Sequence, residues 1–173
     1  MNDALLQALE SRLAAGGVTV VRFNFPYRDA GRRMPGAARE SEEAFREVAG
    51  AARVHGAPLF IGGKSYGGRI ATHIAAAGFP CDGLVLISYP LHPPGRFDKL
   101  RTEHLPRVHP PMLFVRGTND PFSRADLFAD AMTTLSGATV HEIAGGDHSL
   151  RVKGVPAAAV ADDVAGAIAR FVA

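Results

Sequence analysis

The 173-residue sequence has no tryptophan, a single cysteine at position 81 and no long apolar run. One cysteine excludes an internal disulfide framework. No stretch reaches the roughly 18 consecutive apolar residues that a membrane span requires, and the start at Met1 lacks the basic region of a signal peptide. We therefore expect a cytoplasmic protein with no membrane partner.

The sequence also lacks a strong excess of either charge, since it has 19 basic and 17 acidic residues. Its densest basic cluster, formed by Arg28, Arg32, Arg33 and Arg39, has only Tyr27 as an interleaved aromatic residue. We interpret this cluster as a solvated loop and expect no nucleic-acid partner. Because 47% of the residues are hydrophobic, disorder is excluded for most of the chain, and residues 1–173 are predicted to form one domain.

Strand-like and helical patterns alternate along the chain and are separated by Gly or Pro. This alternation predicts an α/β fold with a mostly parallel sheet of about five strands flanked by helices. The strands are predicted at Val18–Phe25, Leu59–Gly62, Gly83–Ser88, Met112–Val115 and Thr139–Ile143. They are continuous apolar runs, which is typical of a parallel sheet that is covered on both faces.

The helices are predicted from apolar residues at helical spacing and from their end signals. Asn2 or Asp3 is predicted to cap the first helix and Ser41 the second. A third helix is predicted over Tyr66–Ala77, and Pro121 is predicted to begin the fourth. In such a fold the catalytic loops follow the carboxyl ends of the strands.

The strongest local motif is Gly-Lys-Ser-Tyr-Gly-Gly at positions 63–68, between a predicted strand and a predicted helix. This is the setting of a nucleophile elbow, in which Ser65 stands on a tight, strained turn. Gly63 and Gly67 supply the small residues that the turn requires. The backbone N–H of Tyr66 and the helix N-terminus are expected to face the oxyanion that forms during acyl transfer.

The motif is compatible with two other interpretations. Gly63-Lys64-Ser65 also ends a phosphate-binding loop, but Pro58 stands where that motif begins with glycine, and an apolar strand occupies the intervening positions. The other interpretation is a Gly-rich turn with a structural role only, which the motif by itself leaves open.

A catalytic serine needs a base and an acid that orients the base, in the chain order serine, acid, histidine for this type of fold. Asp120 follows the predicted strand Met112–Val115, and His148 follows the last predicted strand. The alternatives are a helix-capping role for Asp120 and a polar loop position for His148. Asp147 is a rival acid, which we assign to loop structure.

The remaining histidines show no metal-ligand spacing; they stand at positions 55, 73, 92, 104, 109 and 141. His141-Glu142 lacks the second histidine of the H-E-x-x-H motif. We therefore predict no metal site and no cofactor.

With these residues identified, the chain resembles the alpha/beta-hydrolase superfamily over its whole length. It is most similar to small bacterial proteins related to dienelactone hydrolases, in the branch of the testis-expressed and NSL-complex-subunit hydrolase-like proteins. The segments that carry the resemblance are Arg22–Tyr27, Gly62–Arg69, Tyr89–Gly95 and Leu100–Leu105. The resemblance implies the same triad, Ser65, Asp120 and His148, but no particular substrate.

Four further residues in or near these segments are candidate substrate-pocket residues: Lys64, His92, Arg101 and His104. The alternative is that they pack the loop after the third predicted strand and form surface ion pairs.

The resemblance also exposes one departure. Relatives begin with an extra strand and a His-Gly-Ala-Gly-like turn that donates the second oxyanion N–H, and this chain starts after them. In relatives that strand lies between the counterparts of Val18–Phe25 and Leu59–Gly62. We expect a start upstream, a rearranged sheet, or a second chain in the gap, as in a homodimer through an open sheet edge. Loss of one oxyanion donor lowers the rate by about 10²- to 10³-fold.

These observations predict a serine hydrolase acting on a small acyl substrate, namely a carboxylic ester, lactone or thioester, in a shallow, open site. The alternative is a catalytically weak or inactive hydrolase-like protein that serves as a binding or assembly module.

Overall fold

The computed structural model describes residues 3–173. Its helices are α1 (Ala4–Ala15), α2 (Pro26–Asp29), α3 (Ala38–Ala52), α4 (Tyr66–Ala76), α5 (Ala125–Thr133) and α6 (Ala157–Val172), and its strands are β1 (Phe60–Lys64), β2 (Gly83–Ile87), β3 (Met112–Gly117) and β4 (Ala138–Ile143). The side chain of Asp3 caps α1 by accepting the Leu6 N–H at 3.1 Å. Asn2, the other predicted cap, lies outside the described residues.

The four strands form one parallel sheet in the order β1-β2-β3-β4. Their side chains alternate between two cores, since Leu84 and Phe114 pack with α3, α4 and α5 while Ile87 and Val115 pack with α1 and α6. Helices therefore cover both faces of the sheet, which explains why the strands are uninterrupted apolar runs. The predicted fold class is confirmed.

The segment predicted as the first strand, Val18–Phe25, is not part of this sheet. Its side chains alternate as in extended chain, because Val18 and Val20 pack against the α1–α6 core and Phe23 and Phe25 pack against the α3–α4 core. In residues 3–173, however, β1 pairs only with β2, and this segment forms no ladder with the free edge of β1. The sheet has four strands instead of five for this reason.

The second predicted helix begins earlier than expected. α3 starts at Ala38 with Ala37 as its cap residue, so Ser41 lies inside the helix. Ser41 is buried, and its hydroxyl accepts a hydrogen bond from the Tyr66 hydroxyl at 3.1 Å. A tertiary contact from α4, rather than the helix end, therefore accounts for this serine.

The fourth predicted helix begins later than expected. α5 starts at Ala125, and Pro121 lies in the preceding turn. A helix from Pro121 would need the Asp120 carbonyl to accept from Arg124 N–H. In the structure the Ser123 N–H donates to the Asp120 carbonyl at 3.1 Å. The Arg124 N–H donates to the His92 ring instead.

The connection between β2 and β3 contains one short 3₁₀ turn, Leu105–Arg107. No other helix or strand is inserted between β2 and β3. Across residues 3–173, no helix is both long enough and apolar enough to cross a membrane.

Candidate active site

Ser65 lies between the end of β1 and the start of α4, and its backbone φ is +52°. This left-handed conformation is strained for a residue with a side chain. The turn is held to the sheet because the Ser65 N–H donates to the Ile87 carbonyl at 2.8 Å. β1 thus presents the serine at its carboxyl end, as a nucleophile elbow does.

The close approach in this turn involves Gly63 and Gly68. A Cβ on Gly63 would lie 2.8 Å from the Gly67 carbonyl carbon, and a Cβ on Gly68 would lie 2.8 Å from the Gly63 oxygen. A Cβ on Gly67 would meet only the edge of the Phe25 ring, at 3.9 Å. A Cβ is therefore sterically excluded at Gly63 and at Gly68, whereas Gly67, the other residue expected to be small, leaves room for one.

Ser65, His148 and Asp120 form a continuous chain of hydrogen bonds. The Ser65 Oγ lies 2.8 Å from His148 Nε2, and His148 Nδ1 lies 2.8 Å and 2.9 Å from the two Asp120 carboxylate oxygens. A carboxylate only accepts, so Nδ1 carries a proton and Nε2 of the neutral ring accepts from Ser65. The Asp120 side chain is fully buried, whereas that of His148 is 22% exposed.

The loops that carry Asp120 and His148 are joined by backbone contacts. The Thr118 N–H donates to the Ile143 carbonyl at 3.1 Å, and the Asn119 N–H donates to the Gly146 carbonyl at 2.9 Å. The Gly145 N–H in turn donates to the Thr118 hydroxyl at 2.8 Å. These bonds hold the acid and the base at one edge of the sheet.

Phe122 extends this arrangement, although no sequence motif marks it. Its N–H donates to Asp120 Oδ1 at 2.8 Å, and its ring lies 4.2 Å from the His148 ring, centroid to centroid. Asp147, the rival acid, instead accepts from the Ser149 N–H and from the backbone and side chain of Arg151. Its contacts are those of the loop residue we predicted.

Tyr66 directly follows Ser65 at the N-terminus of α4. Tyr66 is the first residue of α4, so its N–H has no acceptor within the helix and adds to the positive end of the helix dipole. The Tyr66 ring packs edge-to-face on Phe25, at 5.5 Å between centroids. The ring is thus held against α3 and the segment that precedes it.

Lys64 and His92 are placed differently from each other. The Lys64 Nζ lies 2.6 Å from an Asp3 carboxylate oxygen and ties β1 to the cap of α1. His92 is completely buried, its ring Nε2 accepts the Arg124 N–H at 3.0 Å, and Nδ1 donates to the Pro93 carbonyl at 2.9 Å. The His92 N–H also donates to the Phe122 carbonyl, so His92 braces the loop that contains Asp120.

We expect His92→Leu to lower the free energy of unfolding by about 1–3 kcal/mol, because the Arg124 N–H, which is partly buried, loses its acceptor. His92→Gln, which retains an acceptor oxygen, should lose less. Urea unfolding of the two variants measures the difference, with the exposed His55→Gln as control. Equal stability of His92→Leu and the parent protein would show that the ring does not hold the loop.

Arg101 and His104 lie together in one cavity with Arg69, His73 and Arg107, which the sequence did not single out. Burial, followed by the charges of His73, Arg69 and Arg107, lowers the pKa of His104 to about 4, so its ring is neutral at pH 7. Ser65 and His148 are not among the lining residues. Of the four candidate pocket residues, the structure thus groups two and separates Lys64 and His92 from them.

No group of three or more His, Cys, Asp or Glu side chains within residues 3–173 is arranged to hold a metal ion. The residues that the Ser65 region does assemble are those of acyl transfer by a hydroxyl nucleophile.

Comparisons with known proteins agree with this architecture. The model of a family described as an alpha/beta hydrolase domain matches residues 1–173. An alpha-beta serine hydrolase homologue from Coxiella burnetii is similar in structure, with a TM-score of 0.75 and 18% identity, over 100% of this chain and 78% of that one. The esterase domain of a Rhodothermus marinus protein has a TM-score of 0.71 and 16% identity, over 96% of this chain and 78% of that one.

A third similar structure is Est1E from Butyrivibrio proteoclasticus, with ferulic acid bound. Its TM-score is 0.73 at 13% identity, over 96% of this chain and 82% of that one. At these identities the likeness establishes a shared fold.

Proposed function

We propose that this chain, which belongs to the alpha/beta hydrolase domain family over residues 1–173, is a serine hydrolase. Its substrate would be a small acyl compound, namely a carboxylic ester, lactone or thioester. The observation that carries the proposal is the unbroken contact from Ser65 Oγ through the His148 ring to the buried Asp120 carboxylate. A hydrogen-bonded chain of serine, histidine and aspartate is the arrangement that activates a serine hydroxyl.

In the proposed reaction, Ser65 Oγ attacks the acyl carbon while His148 Nε2 takes the hydroxyl proton. The tetrahedral intermediate then collapses, and the imidazolium returns the proton to the leaving alcohol or thiol. Water then attacks the acyl carbon while His148 takes one of its protons. The second tetrahedral intermediate collapses as His148 returns that proton to Ser65 Oγ, which releases the carboxylic acid and restores the free serine. Asp120 holds the ring orientation and stabilises the imidazolium in both halves.

Tyr66 would supply an N–H to the negatively charged oxygen of each tetrahedral intermediate. Its position at the start of α4 supports this role, because the helix dipole favours negative charge there. The short connection between β2 and β3 supports an open site that admits small substrates.

We further infer membership of the dienelactone-hydrolase-related branch that includes the testis-expressed and NSL-complex-subunit hydrolase-like proteins. The segments Tyr89–Gly95 and Leu100–Leu105 support this finer assignment. In the structure they contribute His92 to the Asp120 loop and Arg101 and His104 to the cavity beside α4.

Fluorophosphonate labelling, read by intact mass, tests the hydrolase proposal. Displacement of fluoride by the Ser65 oxygen should leave a single adduct on the parent protein. The adduct should disappear in Ser65→Ala and in His148→Ala, and it should remain in Ser149→Ala, which removes an exposed neighbouring hydroxyl. A folded parent protein that takes up no adduct would overturn the proposal.

The rival function is a hydrolase-like binding or assembly module that has lost efficient catalysis. One observation favours it, because β1 is an edge strand in the sheet that residues 3–173 form. An edge of this kind can pair with a second copy of the chain. A dimer in light scattering, together with no labelling of Ser65, would be the result expected of this rival.

A further inference from the structure

A cavity of about 470 Å³ lies beside α4, and no triad residue lines it. Glu42 of α3, Arg69 and His73 of α4, and Arg101, His104 and Arg107 of the β2–β3 connection line it. Neither Ser65 nor His148 contributes to the lining, so the cavity is a feature that the proposed hydrolysis does not use.

The cavity contains three guanidinium groups without a carboxylate partner. Within residues 3–173, no carboxylate oxygen lies within 4.0 Å of a side-chain nitrogen of Arg69, Arg101 or Arg107. The Arg69 Nε is buried and has no hydrogen-bond partner. A buried guanidinium N–H without an acceptor is costly and calls for one.

Within the described residues, neither acidic residue of the cavity forms an ion pair with these arginines. Glu42 accepts a hydrogen bond from His73 at 2.9 Å, and Glu103 is exposed to solvent. Burial, followed by the charge of Arg69, lowers the pKa of Arg101. The positive charges of Arg69 and Arg101 therefore act on each other, and a bound anion would reduce their repulsion.

Part of the lining, namely the His104 ring and the Arg101 backbone, is held by protein contacts. The Thr72 hydroxyl donates to the Arg69 carbonyl at 2.7 Å, so it accepts from His104 Nε2–H, also at 2.7 Å. The Tyr89 hydroxyl donates to the Arg101 carbonyl at 2.7 Å, and the Arg101 N–H donates to the Leu91 carbonyl at 2.8 Å. Because these side chains and this backbone are ordered by protein contacts, a ligand would lose less free energy in ordering them.

We propose that this cavity is a binding site for an oxyanion, the carboxylate or phosphate group of a small molecule, held by Arg69, Arg101 and Arg107. Guanidinium groups bind both kinds of anion with paired, charge-assisted hydrogen bonds. His104 Nε2–H donates to the Thr72 hydroxyl, so Nδ1 of the neutral ring is free to accept a hydrogen bond. A ligand that also carries a hydrogen-bond donor would therefore be favoured.

The test is thermal unfolding of the whole protein with sodium phosphate or sodium succinate, against sodium chloride at the same ionic strength. Phosphate or succinate should raise the Tm above the chloride value, and the larger rise identifies the preferred anion. Binding requires no turnover at Ser65, so the result is independent of hydrolase activity. No rise beyond that of chloride with either anion would overturn the proposal.

Charge-removing variants locate the site. Arg107→Gln changes an exposed side chain and should weaken anion binding about tenfold, and Arg69→Gln should weaken it at least as much. Arg170→Gln, an exposed arginine at the end of α6, should leave binding unchanged. Full binding by Arg107→Gln and Arg69→Gln, or an equal loss in Arg170→Gln, would place the anion elsewhere and refute the assignment.

Discussion

Asp120→Asn is expected to lower kcat on a small p-nitrophenyl ester by about 10⁴-fold, with little change in KM. The fully buried Asp120 carboxylate accepts a hydrogen bond from His148 Nδ1–H, and its Oδ1 also accepts one from the Phe122 N–H. An asparagine has only one side-chain oxygen to accept from the Phe122 N–H and His148. Its amide NH₂ would donate a hydrogen bond to His148. The ring is then driven to the tautomer whose Nε2 already carries a proton, so it cannot accept one from Ser65.

Asp147→Asn is the matched control, because it changes a neighbouring carboxylate that bonds only within its own loop in the described contacts. It should retain kcat within a few-fold of the parent, with some loss of stability. Comparable kcat values for the Asp120 and Asp147 variants would refute the role assigned to Asp120. Urea unfolding distinguishes a loss of chemistry from a loss of folded protein.

Gly117→Ala is expected to disable the site through the backbone alone. A Cβ at this position would lie 2.5 Å from the Gly146 carbonyl carbon and 2.7 Å from the Asp147 oxygen, in the loop that carries His148. These atoms are backbone, so the loop must move. We expect stability to fall by about 3 kcal/mol, and fluorophosphonate labelling of the remaining folded protein to slow by about 10²-fold.

Gly50→Ala provides the control for this substitution. Gly50 lies within α3, and a Cβ there has no atom within 4 Å. Alanine should raise the free energy of unfolding by about 0.5–1 kcal/mol, because glycine is the poorer helix former. A Gly117→Ala protein that is labelled at the rate of Gly50→Ala would contradict the proposed coupling between the two loops.

Elements buried on both faces were predicted almost to the residue. β2 was expected over Gly83–Ser88 and spans Gly83–Ile87, because an apolar run of this length between turn residues has few other stable arrangements. The start of α4 at Tyr66 was predicted just as closely. The elbow motif accounts for this, since the strand-to-helix reversal is encoded in adjacent residues.

The predictions that failed depended on partners far away in the chain. Ser41 is a residue type that favours helix N-caps, but its hydroxyl bonds to Tyr66 instead. Pro121 is a residue type that favours the first turn of a helix, but it lies in a turn after which the Arg124 N–H donates to His92. Val18–Phe25 has the apolar pattern of a strand but is not part of the sheet. Local preferences of about 1 kcal/mol yield to such tertiary contacts.

The sequence by itself determined the α/β architecture and the candidates Ser65, Asp120 and His148, because apolar periodicity and a glycine-bounded turn are local properties. Only the tertiary structure decided that Gly68 lies against Gly63 in the elbow and that the Phe122 ring packs on His148. It also decided that arginines without a carboxylate partner in the described residues line one cavity. These contacts form between residues that are distant in the chain or lie on different faces of an element. Chain spacing does not specify them, since the distance between two side chains is set by how helices pack on the sheet.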